Sequence, residues 1–384
     1  LCPTQIFDLF HITILLPSVL TENGMGVIDM NAKKLREIYG SLKHIRTEDK
    51  QARRRFRQEE DENIFVILDG DSFCERPFAI DHDNKLMPSK ALRRAGDKTQ
   101  VFTDPMNLHI RNRASHTNEV VGLATCVGGI LGLNTDLCRA IALGHDLGHT
   151  PFGHSGEKFI SKVTGKHFEH NIFASVLLQS IERSGRGLNL THQVLTGIVN
   201  HSGVPENMDE LNTVSPEASV VRLVDKIAYI LADWNDIART SFHCPEIVAL
   251  RPMIEELGRD QRNREAMLIH SLCLESAKCG KITFAQCNAG KIFSSIRSQM
   301  KKLYPLMNCG NSGDLLGRVY ELIERKVPDV QPEIALALMT DHEVLCLVRN
   351  QTFSVANLYQ TSLGEIIPFI RGRRFDFTNP DLNW

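Results

Sequence analysis

The segment "PEASVVRLVDKIAYILADWNDI", residues 216–237, constrains the fold more than any other stretch of this 384-residue chain. Apolar residues fall at 220, 221, 224, 227, 228 and 231, a spacing that a helix gathers onto one side. Asp225, Tyr229 and Asp233 recur every four residues inside it and therefore share a face. A polar stripe on an apolar helix makes poor core but a good pocket wall. Asp225 in particular is a carboxylate on a greasy face; it needs a partner, and a cation is an economical one. From about residue 85 onward helical periods dominate, interrupted by polar, turn-rich breaks at 182–191, 202–216 and 309–314. The expected fold class is all-α, mainly helical, with one small β element near residues 63–70 where "NIFVILD" reads as a short strand.

The second constraint is "ALGHDLGHTPFGHSGE", residues 142–157. His145, Asp146, His149, His154 and Glu157 crowd into it, while four glycines and a proline break any single helix that would carry them. A helix capped at Thr135 runs out toward Gly148. Adjacent His145 and Asp146 can reach one cation if the backbone turns there. Partners must come from elsewhere. Upstream, "RNRASHTNEVVGLA" offers His116 at the start of an apolar helix with Arg113 one turn earlier; downstream there is Asp225. Two imidazoles and two carboxylates form a mixed nitrogen and oxygen set that suits Mn²⁺, Fe²⁺, Mg²⁺ or Zn²⁺ with open positions, unlike a closed thiolate site. Alone, a His-Asp pair is common by chance; the order His, His-Asp, Asp across separate helices is much more informative.

Composition narrows the remaining classes. Hydrophobic content of 42% and charged content of 23% are those of a globular protein. A net charge of −2 provides no global basic field for nucleic acid or membrane. Ten cysteines without a CxxC pair, several inside apolar runs, read as reduced thiols in a cytoplasmic setting. "IFDLFHITILLPSVL" is apolar, yet no Lys or Arg precedes it and Asp8, His11 and Pro17 interrupt it, so an N-terminal helix or added extension is expected over an export signal. No stretch is long enough to span a bilayer. Residues 31–62 are rich in both charge signs and read as exposed helix; Arg53, Arg54, Arg55 and Arg57 could contact phosphates, but a solvated face is the better reading.

The chain resembles the HD-domain phosphohydrolases, and among them the deoxynucleoside triphosphate triphosphohydrolases of the dGTPase family. The matching runs are "SKALRRAGDKTQVF", "RNRASHTNEV", "AIALGHDLGHTPFGHSGE", "FEHN", "GLNLTHQVLTGIVNHSG" and "VDKIAY", which together cover roughly residues 81–240. The resemblance implies an N-terminal extension over 1–75, an HD helical core over 76–250 and a C-terminal helical region over 251–384 that completes the domain. It implies metal-dependent hydrolysis of a dNTP, dGTP by default, to deoxynucleoside and tripolyphosphate through water attack on the α-phosphate. By motif, His116, His145, Asp146 and Asp225 are the implied ligands of one divalent ion, Mn²⁺ or Mg²⁺ first, with Fe²⁺, Zn²⁺, Co²⁺ or Ni²⁺ as alternatives. His154 matches the catalytic histidine and Glu157 the carboxylate that holds it. Arg113 and Lys226 resemble the triphosphate clamps, with His149 and His170 as further phosphate donors. Gln100 and Asp233 would meet the 3′-OH while Tyr229 packs on the sugar and leaves no room for a 2′-OH. For Glu169, Asn171 and His201, capping or core hydrogen bonding is at least as good a reading. Implied partners are a homo-oligomer, and a second dNTP or single-stranded DNA as effector. Two other readings compete: an HD phosphodiesterase or nuclease on another phosphoester, and a nucleotide or single-stranded-DNA sensing subunit with weak turnover. "ALRRA", Asn118 and Ala232 depart from the family pattern but touch neither an implied ligand nor the His154–Glu157 pair.

Overall fold

The computed structural model describes residues 37–55, 76–103, 105, 107–202, 214–240, 242–307, 311–349 and 355–384. The expected strand near 63–70 and the apolar N-terminal run lie outside these residues. Among the described residues the protein is all-α, as the periodicity predicts. There is no sheet, only isolated bridges joining Arg54 to Thr191 and Thr99 to Asn112.

Six helices position the site: α1 (Arg113–Leu131), α2 (Thr135–Gly144), α3 (His154–Thr164), α4 (His170–Val176), α5 (His192–Val199) and α6 (Pro216–Ala238). Asn112 caps α1 by accepting from the Ser115 amide, and Ser115 Oγ accepts from the Asn112 amide in return, a reciprocal capping box. The helix stops at Gly132 with φ of 74°, the left-handed region where a side chain would be strained. Asn134 caps α2 through the Leu137 amide, so the cap lies one residue before the expected Thr135. Ser215 caps α6 and Pro216 opens it, both favoured at a helix start.

Helix α1 packs on α2, α6 crosses both, and α5 lies against α2 and α4. Leu131, Leu137, Ile141, Leu143, Val224 and Ile227 from these helices belong to one buried apolar cluster. The long C-terminal helices continue this arrangement. Helices α7 (Pro245–Leu257), α8 (Gln261–Cys279) and α9 (Asn288–Met307) pack on one another, with α8 against α1 and α6. Helices α10 (Ser312–Lys326) and α11 (Pro332–Leu338) pack against α3, and α12 (Asp341–Arg349) packs against α10.

The described part of 31–62 departs from its expected exposed helix. After Tyr39 it runs as turns, with a single 3₁₀ turn at Asp49–Gln51. Arg54 is not on a solvated face: its guanidinium is buried at 2.6 Å from the buried carboxylate of Asp81. Mixed charge marks solvation in general, but a long arginine can be drawn inward by an acid distant in sequence.

Candidate metal centre and active site

Three separate helices and the turn after the second bring the site residues together. His116 lies in the first turns of α1, His145 directly follows α2, and Asp225 sits midway along α6. Asp146 lies in the turn between α2 and α3. That turn presses so closely on the start of α4 that a Cβ on Gly148 would stand 2.1 Å from the His170 carbonyl oxygen. Only glycine permits this approach, which carries His170 and Asp146 toward each other.

His116 Nε2 is 3.1 Å from Asp225 Oδ1 and 3.9 Å from Asp146 Oδ2, while His145 Nε2 is 3.6 Å from Asp225 Oδ1 and 3.5 Å from Asp146 Oδ1. All four residues are buried. The His145 Nδ1–H donates to the Ala142 carbonyl at 2.7 Å, which fixes the ring so that Nε2 faces the two carboxylates. A ring aimed in this way, with two carboxylates converging on its inner nitrogen, is how proteins prepare a ligand for a cation. The donor set therefore fits a divalent ion.

Burial opposes charge on Asp146, yet His145, the hydrogen-bonding ring of His149 and the Arg113 guanidinium hold its carboxyl well below the ordinary range. Asp225 is likewise held low against burial by His116, His145 and Lys226. Burial also disfavours the His145 imidazolium, but Asp146 and Asp225 outweigh it and push the ring up to about 9. Asp146 and Asp225 thus stay ionised though buried, which is what a cation needs of its ligands.

The second constellation centres on Glu157. Its Oε1 stands 3.0 Å from His149 Nδ1, 3.2 Å from His154 Nδ1 and 2.9 Å from His170 Nδ1. Burial would raise this carboxyl, but the three rings hold it well below the usual range. The His149 and His170 rings stack at 3.7 Å. His149 Nε2 meets Asp146 Oδ1 at 3.2 Å, so the two constellations touch. Burial and nearby Arg113 lower His149 to about 3. Its ring is neutral.

The expected phosphate and sugar contacts divide. Arg113 Nη1 donates to Asp146 Oδ2 at 2.7 Å and is buried beside it. Lys226 donates to the Arg222 carbonyl at 2.9 Å, and burial lowers it to about 8. His149 and His170 turn inward onto Glu157 and Asp146. Gln100 leads from the bridge at Thr99, and its buried Oε1 has no hydrogen-bond partner, so it is available to a ligand donor. Tyr229 lies one turn beyond Asp225, with Arg297 against its hydroxyl. Asp233 is engaged by the guanidinium of Arg111 at 2.6 Å and the hydroxyl of Tyr304 at 2.8 Å. Burial raises its carboxyl to about 7 against the pull of both donors. Asn171 donates to the Val199 carbonyl at 2.6 Å.

Sequence reasoning missed several residues that shape the site. Arg111, two positions before Arg113, was the most accessible of these; Tyr304 and Arg297 on α9 carry no local pattern. Lys98 is fully buried and donates to the carbonyls of His149 and Ala337. Asp341 accepts from Thr99 and, at 2.8 Å, from the amide of Phe152, whose φ is 57°. The C-terminal region thus clamps both sides of the pocket.

A profile of the HD domain matches residues 113–230, the interval from α1 through α6 that holds all four candidate ligands. A deoxyguanosinetriphosphate triphosphohydrolase-like protein of Caldanaerobacter subterraneus subsp. tengcongensis is 40% identical over 250 residues, 63% of this chain and 68% of that protein. The chain belongs to this HD-domain family. Proteins of the same description from Clostridium tetani and Clostridium perfringens strain 13 are 38% and 44% identical, over 226 and 192 residues. These alignments cover 58% and 50% of this chain and 64% and 55% of those relatives, so the match spans somewhat over half of their length. Among the described residues no helix is long and apolar enough to cross a membrane, and the seven described cysteines are free thiols.

Proposed function

We propose that this protein hydrolyses deoxynucleoside triphosphates to deoxynucleoside and tripolyphosphate, with dGTP as the first substrate to test. The observation that carries the proposal is the pairing of two constellations: a buried His/Asp cluster that fits a cation, and beside it an exposed histidine seated on a buried carboxylate. In-line displacement at a phosphate needs both. His116, His145, Asp146 and Asp225 would hold the divalent ion. The chemistry such an ion supplies when bound is charge neutralisation at the phosphate and acidification of a water.

This chain's own groups supply the rest. His154 Nδ1 rests on Glu157 Oε1 at 3.2 Å, which orients the ring and leaves Nε2 free to exchange a proton at the substrate. Atoms balance simply: water adds to the α-phosphorus, the bond to the 5′ oxygen breaks, and that oxygen takes a proton. Arg113 and Lys226 would release their internal acceptors and turn to the phosphates. Gln100 and the Asp233–Arg111 pair would grip the 3′-OH, with Tyr229 closing the space beside C2′. A site built to hydrogen-bond a hydroxyl loses heavily when it is missing.

The same reading carries a homo-oligomer, and a second dNTP or single-stranded DNA as effector. It also keeps the division at 1–75, 76–250 and 251–384, with the last region completing the pocket through Ala337, which accepts from Lys98, and through Asp341 and Tyr304. The test is to incubate the protein with each dNTP, with GTP and with dideoxy-GTP in the presence of Mn²⁺, and to separate the products. Tripolyphosphate and deoxynucleoside from a dNTP, with GTP and dideoxy-GTP poor, are expected. Diphosphate as product, or equal use of GTP, would replace this reading with that of a general HD phosphodiesterase. Binding without turnover would favour a sensor.

A further inference from the structure

We infer that Arg111 is the positioning residue of the sugar pocket: it holds the Asp233 carboxylate in place as the acceptor for a 3′-hydroxyl, and so sets how strongly the site rejects a substrate that lacks one. The inference rests on the functional reading above. Within the Asp233–Arg111 pair, Asp233 makes the contact and Arg111 acts through it.

Arg111 directly precedes the Asn112 cap of α1 and is buried. Its Nη2 donates to Asp233 Oδ1 at 2.6 Å, its Nε to Asp236 Oδ2 at 3.2 Å and its Nη1 to Glu119 Oε2 at 2.8 Å. The Arg111 main-chain amide also donates to Asp236 Oδ2, at 3.4 Å. Every nitrogen of the guanidinium is therefore engaged by the protein, and the fork is not aimed at a ligand. Asp233 is different. Arg111 takes Oδ1 and the Tyr304 hydroxyl takes Oδ2 at 2.8 Å, one donor for each oxygen. A carboxylate offers about four lone-pair sites, so each oxygen keeps one for a further donor. The two donors come from the segment before α1 and from α9, and between them they fix the rotation of the carboxylate. Asp233 shares a face of α6 with Asp225 and Tyr229, the stripe that walls the pocket.

Stability does not account for this cluster. One guanidinium serves three carboxylates, of which Asp233 and Asp236 are buried, and Arg239 takes the other oxygen of Asp236 at 2.8 Å. Buried ion pairs contribute little net stability, because desolvation offsets attraction. What the cluster yields is a charge held at a fixed place. Burial pushes the Asp233 carboxyl up to about 7; Arg111 and then Tyr304 oppose it, while Asp236 and Asp225 add to it. Tyr229 also faces Asp233, and Glu265 of α8 faces Arg111 and Glu119. Without Arg111 the carboxyl rises further, and a neutral acid bonds a hydroxyl about half as strongly as a carboxylate does.

The test compares kcat/KM for a dNTP that wild type turns over and for its dideoxy analogue, across about pH 6 to 9, in wild type, Arg111→Met, Arg111→Lys and Glu119→Ala. Both substrates use the same catalytic groups, so catalytic titrations, metal content and folded fraction cancel in the ratio. Wild type is expected to prefer the 3′-hydroxyl by on the order of 10²-fold or more. Arg111→Met should lose on the order of 10-fold of that ratio at neutral pH, and Arg111→Lys less, because lysine keeps the charge without the fork. The pH below which the ratio declines, about 7 in wild type, should move upward in Arg111→Met. A wild-type ratio and pH profile in Arg111→Met, with turnover merely slower, would make Arg111 a structural brace and overturn the inference. A wild type that hydrolyses dNTPs to tripolyphosphate without preferring the 3′-hydroxyl would also overturn it. No turnover of any dNTP by wild type would instead remove the functional reading itself. If Arg111→Met does not fold, Glu119→Ala decides: it frees one arm of the fork at a half-buried position, and a wild-type ratio there would overturn the inference.

Discussion

His154 differs from the other site histidines in its exposure: 71% of its side chain is accessible, whereas His149 and His170 are buried. An exposed ring held by one carboxylate suits proton exchange with an incoming ligand, and a buried one does not. His154→Ala should therefore lower kcat on the order of 10²–10⁴-fold, the usual worth of a general acid or base, while metal content stays unchanged. A loss confined to KM would make His154 a phosphate contact only. Lys98 gives a second residue-scale prediction. Burial and the nearby Arg94 lower its amine from 10.5 to about 7, so above that pH the folded protein holds it neutral while the unfolded chain keeps it protonated. Between pH 7 and 10 the unfolded state thus binds the extra proton, and this group makes stability rise with pH by up to about 1.4 kcal/mol per unit. The contribution is lost as pH falls through 7. Lys98→Met lacks it, so the difference in unfolding free energy, wild type minus variant, should grow from pH 7 toward pH 10. A flat difference would contradict the assignment.

At the level of elements, the site depends on the turn after α2 fitting against α4. The atoms nearest a Cβ on Gly148 are main chain, the His170 carbonyl and the Ala174 amide, so neither can swing aside. Gly148→Ala should cost about 1–3 kcal/mol, the range for forced overpacking, and weaken cation retention as Asp146 and His170 separate. An unchanged unfolding midpoint with full metal content would show the contact to be soft. How much was legible follows from such elements. Helix α6 and the His116, His145, Asp146, Asp225 order could be read because periodicity and residue type are local signals. Arg111, Tyr304 and Asp341 could not, because each acts through a partner more than 70 positions away. The cap at Asn134, expected at Thr135, shows a smaller limit: both residues are good caps, and only the backbone decides.

Across the whole molecule, the HD helices α1 to α6 supply the charged centre, and the C-terminal helices supply its walls. Asp341 on α12 holds Thr99 and Phe152, and Tyr304 on α9 holds Asp233, so the pocket closes only when both regions fold together. The sequence resemblance faded beyond residue 240 for the same reason: packing against a site tolerates many residue types, whereas ligating a cation tolerates few. The central claim is that this assembled pocket directs water to the α-phosphorus of a deoxynucleoside triphosphate. The most direct test is turnover of dGTP, and of the other dNTPs in turn, in ¹⁸O-labelled water with mass analysis of both products. The account predicts one ¹⁸O in tripolyphosphate and none in the deoxynucleoside. Label in the deoxynucleoside 5′-hydroxyl, label in diphosphate, or no turnover of any dNTP would contradict it.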